Sequence, residues 1–138
     1  MAAQPTGEHP TNGLDETVHQ RHRLGILTIT SEARRAEFGY LRGALDLTPG
    51  NLSRHLTVLE DAGMVKVEKG YEGRRPRTWV SITRTGRSAL AAELDALAAL
   101  VRQHADAAKR AEAAAKSEAA ESGDGEFSGD GGFSGDGD

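Results

Sequence analysis

The 138-residue chain contains no cysteine, few aromatic side chains and no long apolar run. The absence of cysteine excludes disulfides, thiolate metal ligands and thiol redox sensing. No run approaches the roughly 18 apolar residues of a membrane span, and the first residues lack the basic and apolar parts of a signal peptide. We therefore expect a cytoplasmic protein with no membrane partner, and the length allows one compact domain with tails.

The formal net charge of −4 conceals an uneven distribution along the chain. Residues 20–103 hold 14 basic and nine acidic residues, a net charge of +5, and residues 104–116 add +1. The tails are acidic, with −3 over residues 1–19 and −7 over residues 117–138. The overall acidity therefore does not argue against a polyanionic partner for the basic central part. Frequent alanine and arginine with scarce lysine suggest a GC-rich bacterial genome.

Composition divides the chain into four segments. Residues 1–13 are rich in Pro, Thr, Gly and Asn without periodicity, which predicts a disordered N-terminal segment. Residues 14–103 carry the regular patterns of a folded domain, and residues 104–116 extend its last helix. Residues 117–138 repeat Ser-Gly-Asp-Gly, an acidic, Gly-rich composition that predicts a disordered tail.

Hydrophobic periodicity predicts a mainly α fold with a small β-hairpin and a long C-terminal helix. The predicted elements are helices at 14–32, 38–45, 48–63 and 84–115, strands at 64–69 and 78–82, and a short strand around Ala36. The helix between Thr48 and Gly63 has the best-marked ends. Thr48 is a good N-cap, Pro49 suits the first helical position, and Gly63 supplies a left-handed stop.

The two sides of this helix differ in character. At 100° per residue, one side carries the apolar residues Leu52, Leu56 and Leu59. The other side and its flank carry Gly50, Asn51, Ser53, Arg54 and Thr57. Arginine can contact guanine bidentately, asparagine can read adenine, and serine or threonine suits either base edge. We interpret these five residues as candidates for contacting DNA bases; the alternative is an ordinary solvated helix face.

A basic hairpin follows this helix. Its predicted eight-residue loop, Gly70 to Arg77, holds two glycines and one proline. The basic residues predicted to bind phosphates or to enter a narrow minor groove are Lys69, Arg74, Arg75 and Arg77. Two alternatives stay open: a module whose basic face docks an acidic protein partner, and a nonspecific architectural DNA-binding protein. The polar helix face argues against the first, because protein-docking helices usually present apolar anchors.

The last helix carries an apolar seam. Leu90, Leu94, Leu97 and Val101 are spaced by four, three and four residues, the pattern of a heptad interface. We predict that this seam forms a homodimer interface; the alternative is packing against the first helix of the same chain. The sequence shows no nucleophile–base pair, phosphate-binding Gly-rich loop or metal-ligand spacing. We therefore predict no enzyme activity, no metal and no cofactor.

Four stretches of the chain resemble a known family. The runs 51–56 and 60–63, and above all Gly-Arg-Arg-Pro-Arg-Thr-Trp at 73–79 with Ile-Thr-Arg-Thr-Gly at 82–86, are similar to bacterial winged helix-turn-helix transcriptional regulators related to the MarR and ArsR groups. The resemblance covers roughly residues 20–103. It implies a homodimer that binds an imperfect palindrome in double-stranded DNA, usually as a repressor. The chain lacks the cysteine pair of metal-sensing ArsR proteins. It also lacks the extra flanking helices that build a ligand pocket in larger MarR proteins. The resemblance therefore implies no particular small-molecule effector.

Overall fold

The computed structural model describes the backbone of residues 9–136 and the side chains of residues 9–121. Its elements are α1 (Arg21–Glu32), β1 (Ala36–Glu37), α2 (Phe38–Leu45), α3 (Pro49–Asp61), β2 (Val65–Glu72), β3 (Arg75–Ile82) and α4 (Arg84–Asp136). The three strands form one antiparallel sheet in the order β1-β3-β2. The predicted architecture, helices with a small hairpin and a long C-terminal helix, is therefore confirmed, as is the short strand at Ala36.

The N-terminal part differs from the prediction. Residues 1–8 of the segment predicted to be disordered lie outside the described residues, while Pro10–Gly13 form a 3-10 helix. The first α-helix begins at Arg21 rather than at Leu14, because the Gln20 side chain caps it by accepting hydrogen bonds from the His22 and Arg23 backbone N–H groups. Residues 14–20 instead form a turn region that includes the fully buried Val18.

This turn region is held by a carboxylate of α4. Glu93 is fully buried; it accepts a 3.0 Å hydrogen bond from the Asp15 backbone N–H and lies 2.6 Å from Nδ1 of His19. Because a carboxylate only accepts, Nδ1 of His19 carries the proton in this contact. The buried charge is thus paired and hydrogen-bonded, as burial of a charge requires.

Helices α2 and α3 form a helix-turn-helix. Asp46 ends α2 in the left-handed conformation with φ of 55°, and the Leu47 backbone N–H donates to the Arg42 carbonyl at 3.0 Å. Leu47 then enters the core, and Thr48 begins the next helix. The tight turn fixes the direction in which α3 leaves α2, which orients the polar side of α3.

Both ends of α3 are as predicted. The Thr48 side chain accepts from the Asn51 backbone N–H at 3.2 Å, and Pro49 takes the first helical position. At the other end Gly63 has φ of 73°, its N–H donates to the Glu60 carbonyl, and the Met64 N–H donates to the Leu59 carbonyl. This pair of bonds is a Schellman motif, which favours glycine at the left-handed position.

The hairpin is more regular than the sequence predicted. The β2–β3 register runs from Val65 opposite Ile82 to Glu72 opposite Arg75, so only Gly73 and Arg74 form the turn. The predicted eight-residue loop is therefore wrong: strand pairing continues through most of it, and the left-handed Gly73 closes the hairpin with two residues. Pro76 is tolerated because β1 pairs only with Trp79 and Val80 and does not reach this end of β3.

Leucines of the helices and valines of the sheet build the core. Its buried apolar members include Val18, Ile26, Leu27, Leu41, Leu52, Leu56, Leu59, Val65, Val80 and Leu90. The three leucines of α3 fall on the side that the sequence predicted to be buried. Since α3 is fixed from within by these side chains, its other side stays free for contacts outside the chain.

The start of α4 explains the Ile-Thr-Arg-Thr-Gly motif at residues 82–86. The Thr83 hydroxyl accepts from the Gly86 N–H at 3.0 Å and donates to the Gly63 carbonyl at 2.6 Å. Gly86 is buried, and a Cβ there would overlap the Met64 carbonyl oxygen. Thr83 thus caps α4 while tying it to the end of α3, and Gly86 permits the close approach.

Helix α4 extends beyond its predicted end near Ala115, with helical backbone to Asp136. The chain divides into two compact units, one ending at Ala99 and one beginning at Leu100, and residues 100–136 of the second unit belong to α4. Side chains 104–121 are all exposed. The division into segments at 13, 103 and 116 and the disorder of 117–138 stay predictions.

Candidate nucleic-acid interface

The polar side of α3 is open. Gly50, Asn51, Ser53, Arg54 and Thr57 are all exposed, while Leu52, Leu56 and Leu59 on the other side are at most 4% exposed. The Thr57 hydroxyl donates to the Ser53 carbonyl at 3.0 Å, so its own oxygen keeps the capacity to accept. A Cβ built at Gly50 would meet no atom of the described residues within 4 Å, so that part of the chain leaves the start of α3 unobstructed.

One predicted hairpin residue lies beside this helix face. Ser53 and Thr57 border an open groove of about 340 Å³ whose far side is formed by Lys69 and Thr78 of the hairpin. Leu56, Val67 and Phe38 line its apolar floor. Glu60 also borders the groove and places one negative charge there. The structure thus brings the base of the hairpin next to the candidate base-reading residues.

The hairpin tip carries two free arginines. Arg74 lies in the turn and Arg75 begins β3; both are exposed, and neither has a carboxylate partner among the described residues. Guanidinium groups held on a two-residue turn lose less conformational freedom on binding than groups on a long loop. The tip therefore presents two cations on a rigid support.

The third predicted arginine, Arg77, has a different environment. Its Nη1 lies 3.4 Å from Oε1 of Glu37, and its Nε lies 3.4 Å from Oε1 of Glu72 without hydrogen-bond geometry. Its side chain is only 24% exposed. Strand alternation places it on the opposite sheet face from Lys69, since Gly70 and not Lys69 is its partner in register. Arg77 ties the hairpin to the start of α2.

Behind α3, a cluster of one arginine and two histidines supports the helix. Nδ1 of His55 lies 3.2 Å from Nη1 of Arg23, and the His55 ring lies 5.4 Å from that of His22. Arg23 also donates from Nε to the Thr17 carbonyl at 2.6 Å. Burial lowers the pKa of His55 from its usual 6.5, and the neighbouring charges of Arg23, His22 and Arg54 lower this pKa further. Neutral His55 accepts from Arg23 and joins α3 to the N-terminal turn region.

Sequence reasoning passed over Tyr71. It is 74% exposed and lies on the same face of β2 as Lys69, two residues away. An exposed tyrosine beside a basic strand residue offers both a ring and a hydroxyl to a nucleic acid. The alternation of Val67, Lys69 and Tyr71 along β2 would have identified it once the strand was extended beyond Lys69.

The seam residues of α4 differ in burial. Leu90 is 5% exposed and belongs to the core, Leu97 is half-buried, and Leu94 and Val101 are 45% and 67% exposed. Part of the seam therefore packs within the chain, as the alternative stated, and part offers apolar side chains outward. In the described part of the chain, no three His, Asp or Glu side chains are placed to hold a metal ion.

The helix-turn-helix followed by a two-stranded hairpin defines a winged helix, and the β2–β3 hairpin is hereafter the wing. The model of the winged helix DNA-binding domain family matches residues 22–101, and this chain belongs to that family. The resemblance to winged-helix regulators is thereby confirmed. Within residues 9–136, no helix combines the length and apolar character needed to cross a membrane.

Three known proteins are similar to this chain in sequence or in fold. A transcriptional regulator homologue from Pyrococcus horikoshii is 38% identical with a TM-score of 0.61, covering 64% of this chain and 88% of its own. An uncharacterized protein of Methanocaldococcus jannaschii is 40% identical over 67 residues, 49% of this chain and 73% of that relative. AbsC, a MarR family transcriptional regulator from Streptomyces coelicolor, shares the fold at 24% identity and a TM-score of 0.55, covering 69% of this chain and 68% of its own.

Proposed function

We propose that this protein is a sequence-specific, double-stranded DNA-binding transcriptional regulator that acts as a homodimeric repressor on an imperfect palindrome. The observation that carries the proposal is the polar side of α3. Five small or polar residues, Gly50, Asn51, Ser53, Arg54 and Thr57, lie exposed on a helix whose other side is fixed in the core. An exposed helix of this kind fits the major groove, where base edges present their donors and acceptors.

The wing supplies contacts that do not depend on sequence. Lys69 faces the groove beside α3, and Arg74 and Arg75 extend from the tip, so these residues are assigned to the phosphate backbone or to a narrow minor groove. Arg77 is assigned a supporting role, because Glu37 and Glu72 already lie beside its guanidinium. Tyr71 is added to the backbone contacts.

The dimer is proposed from the outward part of the α4 seam. Leu94 and Val101 are large apolar side chains exposed on a helix, and a second copy would cover them. Two copies related by a two-fold axis place two α3 helices in successive major grooves, about 34 Å apart. A promoter that contains such a palindrome would be occluded, which is the mechanism of repression proposed.

The direct test is selection of bound fragments from a random DNA pool, followed by transcription from a promoter that carries the selected site. The proposal expects one enriched imperfect palindrome with half-sites about one helical turn apart, and reduced transcription when protein is added. Affinity without an enriched motif would indicate a nonspecific architectural protein. An absence of DNA binding at low salt would indicate a module that docks another macromolecule.

A further inference from the structure

A second pocket lies away from the polar side of α3, where the end of α1, strand β1 and the start of α2 meet one face of Trp79. Its volume is about 440 Å³, within the usual range for small-ligand sites. Its lining combines two aromatic rings, two carboxylates, one guanidinium and an apolar floor. The residues that matter here are Ile29, Glu32, Arg35, Glu37, Tyr40 and Trp79.

The guanidinium of Arg35, a cation of the chain itself, already lies against the Trp79 ring of this pocket. The Cζ atom of Arg35 lies 3.9 Å from the centroid of the Trp79 ring, well within the distance at which an indole attracts a cation. Arg35 is exposed, and its guanidinium forms no ion pair with a carboxylate in the part of the chain that the structure describes. The ring therefore holds a cation whose remaining surface is in water and which can be displaced.

Two carboxylates, those of Glu32 and Glu37, contribute negative charge to the pocket. Glu37 lies 3.4 Å from Arg77, so its charge is partly balanced within the chain. Glu32, at the end of α1, has no such partner among the described residues and stays available. When Arg35 leaves the ring, the lining presents two carboxylates, the exposed face of Trp79 and the nearby Tyr40, an arrangement that favours a positive ligand and disfavours an anion.

We propose that this pocket binds a small organic cation, an ammonium head on an apolar body, with the head against Trp79 and near Glu32 and the body toward Ile29 and Tyr40. Arg35 acts as the internal competitor that such a ligand displaces. The proposal goes beyond DNA binding and does not depend on it, because no residue of this pocket belongs to the polar side of α3.

Trp79 is the single tryptophan of the chain, so its fluorescence reports on the site directly. The probe is benzyltrimethylammonium, with benzyl alcohol as the neutral control and benzoate as the anionic control, all at constant ionic strength and without DNA. The expected result is a saturable change in Trp79 fluorescence with the cation alone. A response to benzoate that matches or exceeds the cation's, or a linear response without saturation, would overturn the proposal.

Two exposed substitutions sharpen the test, because neither removes a core contact. Arg35→Ala should tighten binding of the cation by about 3- to 10-fold, since the competitor is gone. Glu32→Gln should weaken it by about 3-fold or more through loss of the nearby charge. Glu118→Gln, an equal change at an exposed position of α4, should leave the affinity unchanged. If Arg35→Ala weakens binding, or if Glu32→Gln and Glu118→Gln behave alike, the assignment is overturned.

Discussion

At position 86 the chain has no room for a side chain. A Cβ on Gly86 would overlap the Met64 carbonyl oxygen and lie 2.8 Å from Cγ1 of Ile82. The backbone of α4 would have to move away from the end of α3, and the bond from the Thr83 N–H to the same Met64 carbonyl would be strained. The Ile-Thr-x-x-Gly motif thus needs glycine because the backbones of α4 and the end of α3 pack closely there, and not because the chain must be flexible at that position.

Gly86→Ala should therefore lower the free energy of unfolding by about 1–3 kcal/mol, the usual cost of forcing extra volume into a packed site. Gly43→Ala is the matched control: it lies in α2, where an added methyl group would come within 4 Å of no atom in the part of the chain that the structure describes, and it should be neutral or stabilising by up to about 1 kcal/mol. Urea denaturation of both variants measures the difference. Equal stabilities would show that the contact at Gly86 is absent.

His55 gives the fold a pH dependence. Its pKa is lowered in the folded protein, first by burial and then by Arg23, His22 and Arg54, so the unfolded chain binds a proton more readily. The contribution of neutral His55 is complete above its usual pKa of 6.5 and decreases as the pH falls through that value toward the folded pKa.

We expect His55→Gln to flatten the decline in unfolding free energy between about pH 7.5 and about pH 5, whereas His104→Gln, at an exposed position of α4, should not. Denaturant titrations at a series of pH values provide the comparison. The expectation fails if the wild-type protein and the His55 variant lose stability in parallel.

Among the elements, the attachment of the N-terminal turn region to α4 depends on one buried carboxylate. Glu93 accepts from the Asp15 backbone and from His19, and removing it would leave both donors without this acceptor. Glu93→Ala should cost about 1–3 kcal/mol of unfolding free energy. Asp95→Ala, an exposed neighbour on α4, should change stability by no more than about 0.5 kcal/mol. Thermal and urea unfolding of the pair distinguishes them, and equal effects would contradict the role of Glu93.

Sequence patterns correctly predicted those elements whose ends are determined by a few neighbouring residues. Thr48, Pro49 and Gly63 fixed both ends of α3, and the leucine spacing identified its buried side. The start of α1 was mispredicted because apolar residues before Arg21 belong to a turn region. That region is held in place by the hydrogen bond between Asp15 and Glu93, which lie 78 residues apart along the chain. No pattern among neighbouring residues indicates a contact between such distant positions.

The candidate site residues also differ in whether local sequence patterns or contacts between distant positions determine their environment. Exposure of the α3 residues follows from helical periodicity, so the five candidates could be identified from sequence. The environment of Arg77 could not, because its neighbour Glu37 lies 40 residues earlier and meets it only through strand pairing. The wing was predicted by its composition, whereas its two-residue turn depended on a register that glycine and proline in the sequence obscured.

For the whole molecule, the proposed dimer makes a separate prediction. Leu94 is 45% exposed on α4, and a charge there would be buried in a two-fold interface. Leu94→Glu should shift the protein from dimer to monomer and weaken binding to the selected palindrome. Ala92→Glu, at an exposed position about 200° around the helix, should keep the dimer. Sedimentation equilibrium measures the change, and a monomeric wild-type protein would refute the proposed interface.

The central claim is that the polar side of α3 reads bases while the wing holds the backbone. The measurement that tests it most directly is the affinity of three variants for the selected site and for its single-base substitutions, at several salt concentrations. Arg54→Ala should lose discrimination at one base position, by about 1–3 kcal/mol, and bind the other substituted sites with unchanged ranking. Arg75→Ala should weaken all sites alike and reduce the salt slope by about 1, and Arg110→Ala, exposed on α4, should do neither. Unaltered sequence preference in Arg54→Ala would contradict the account.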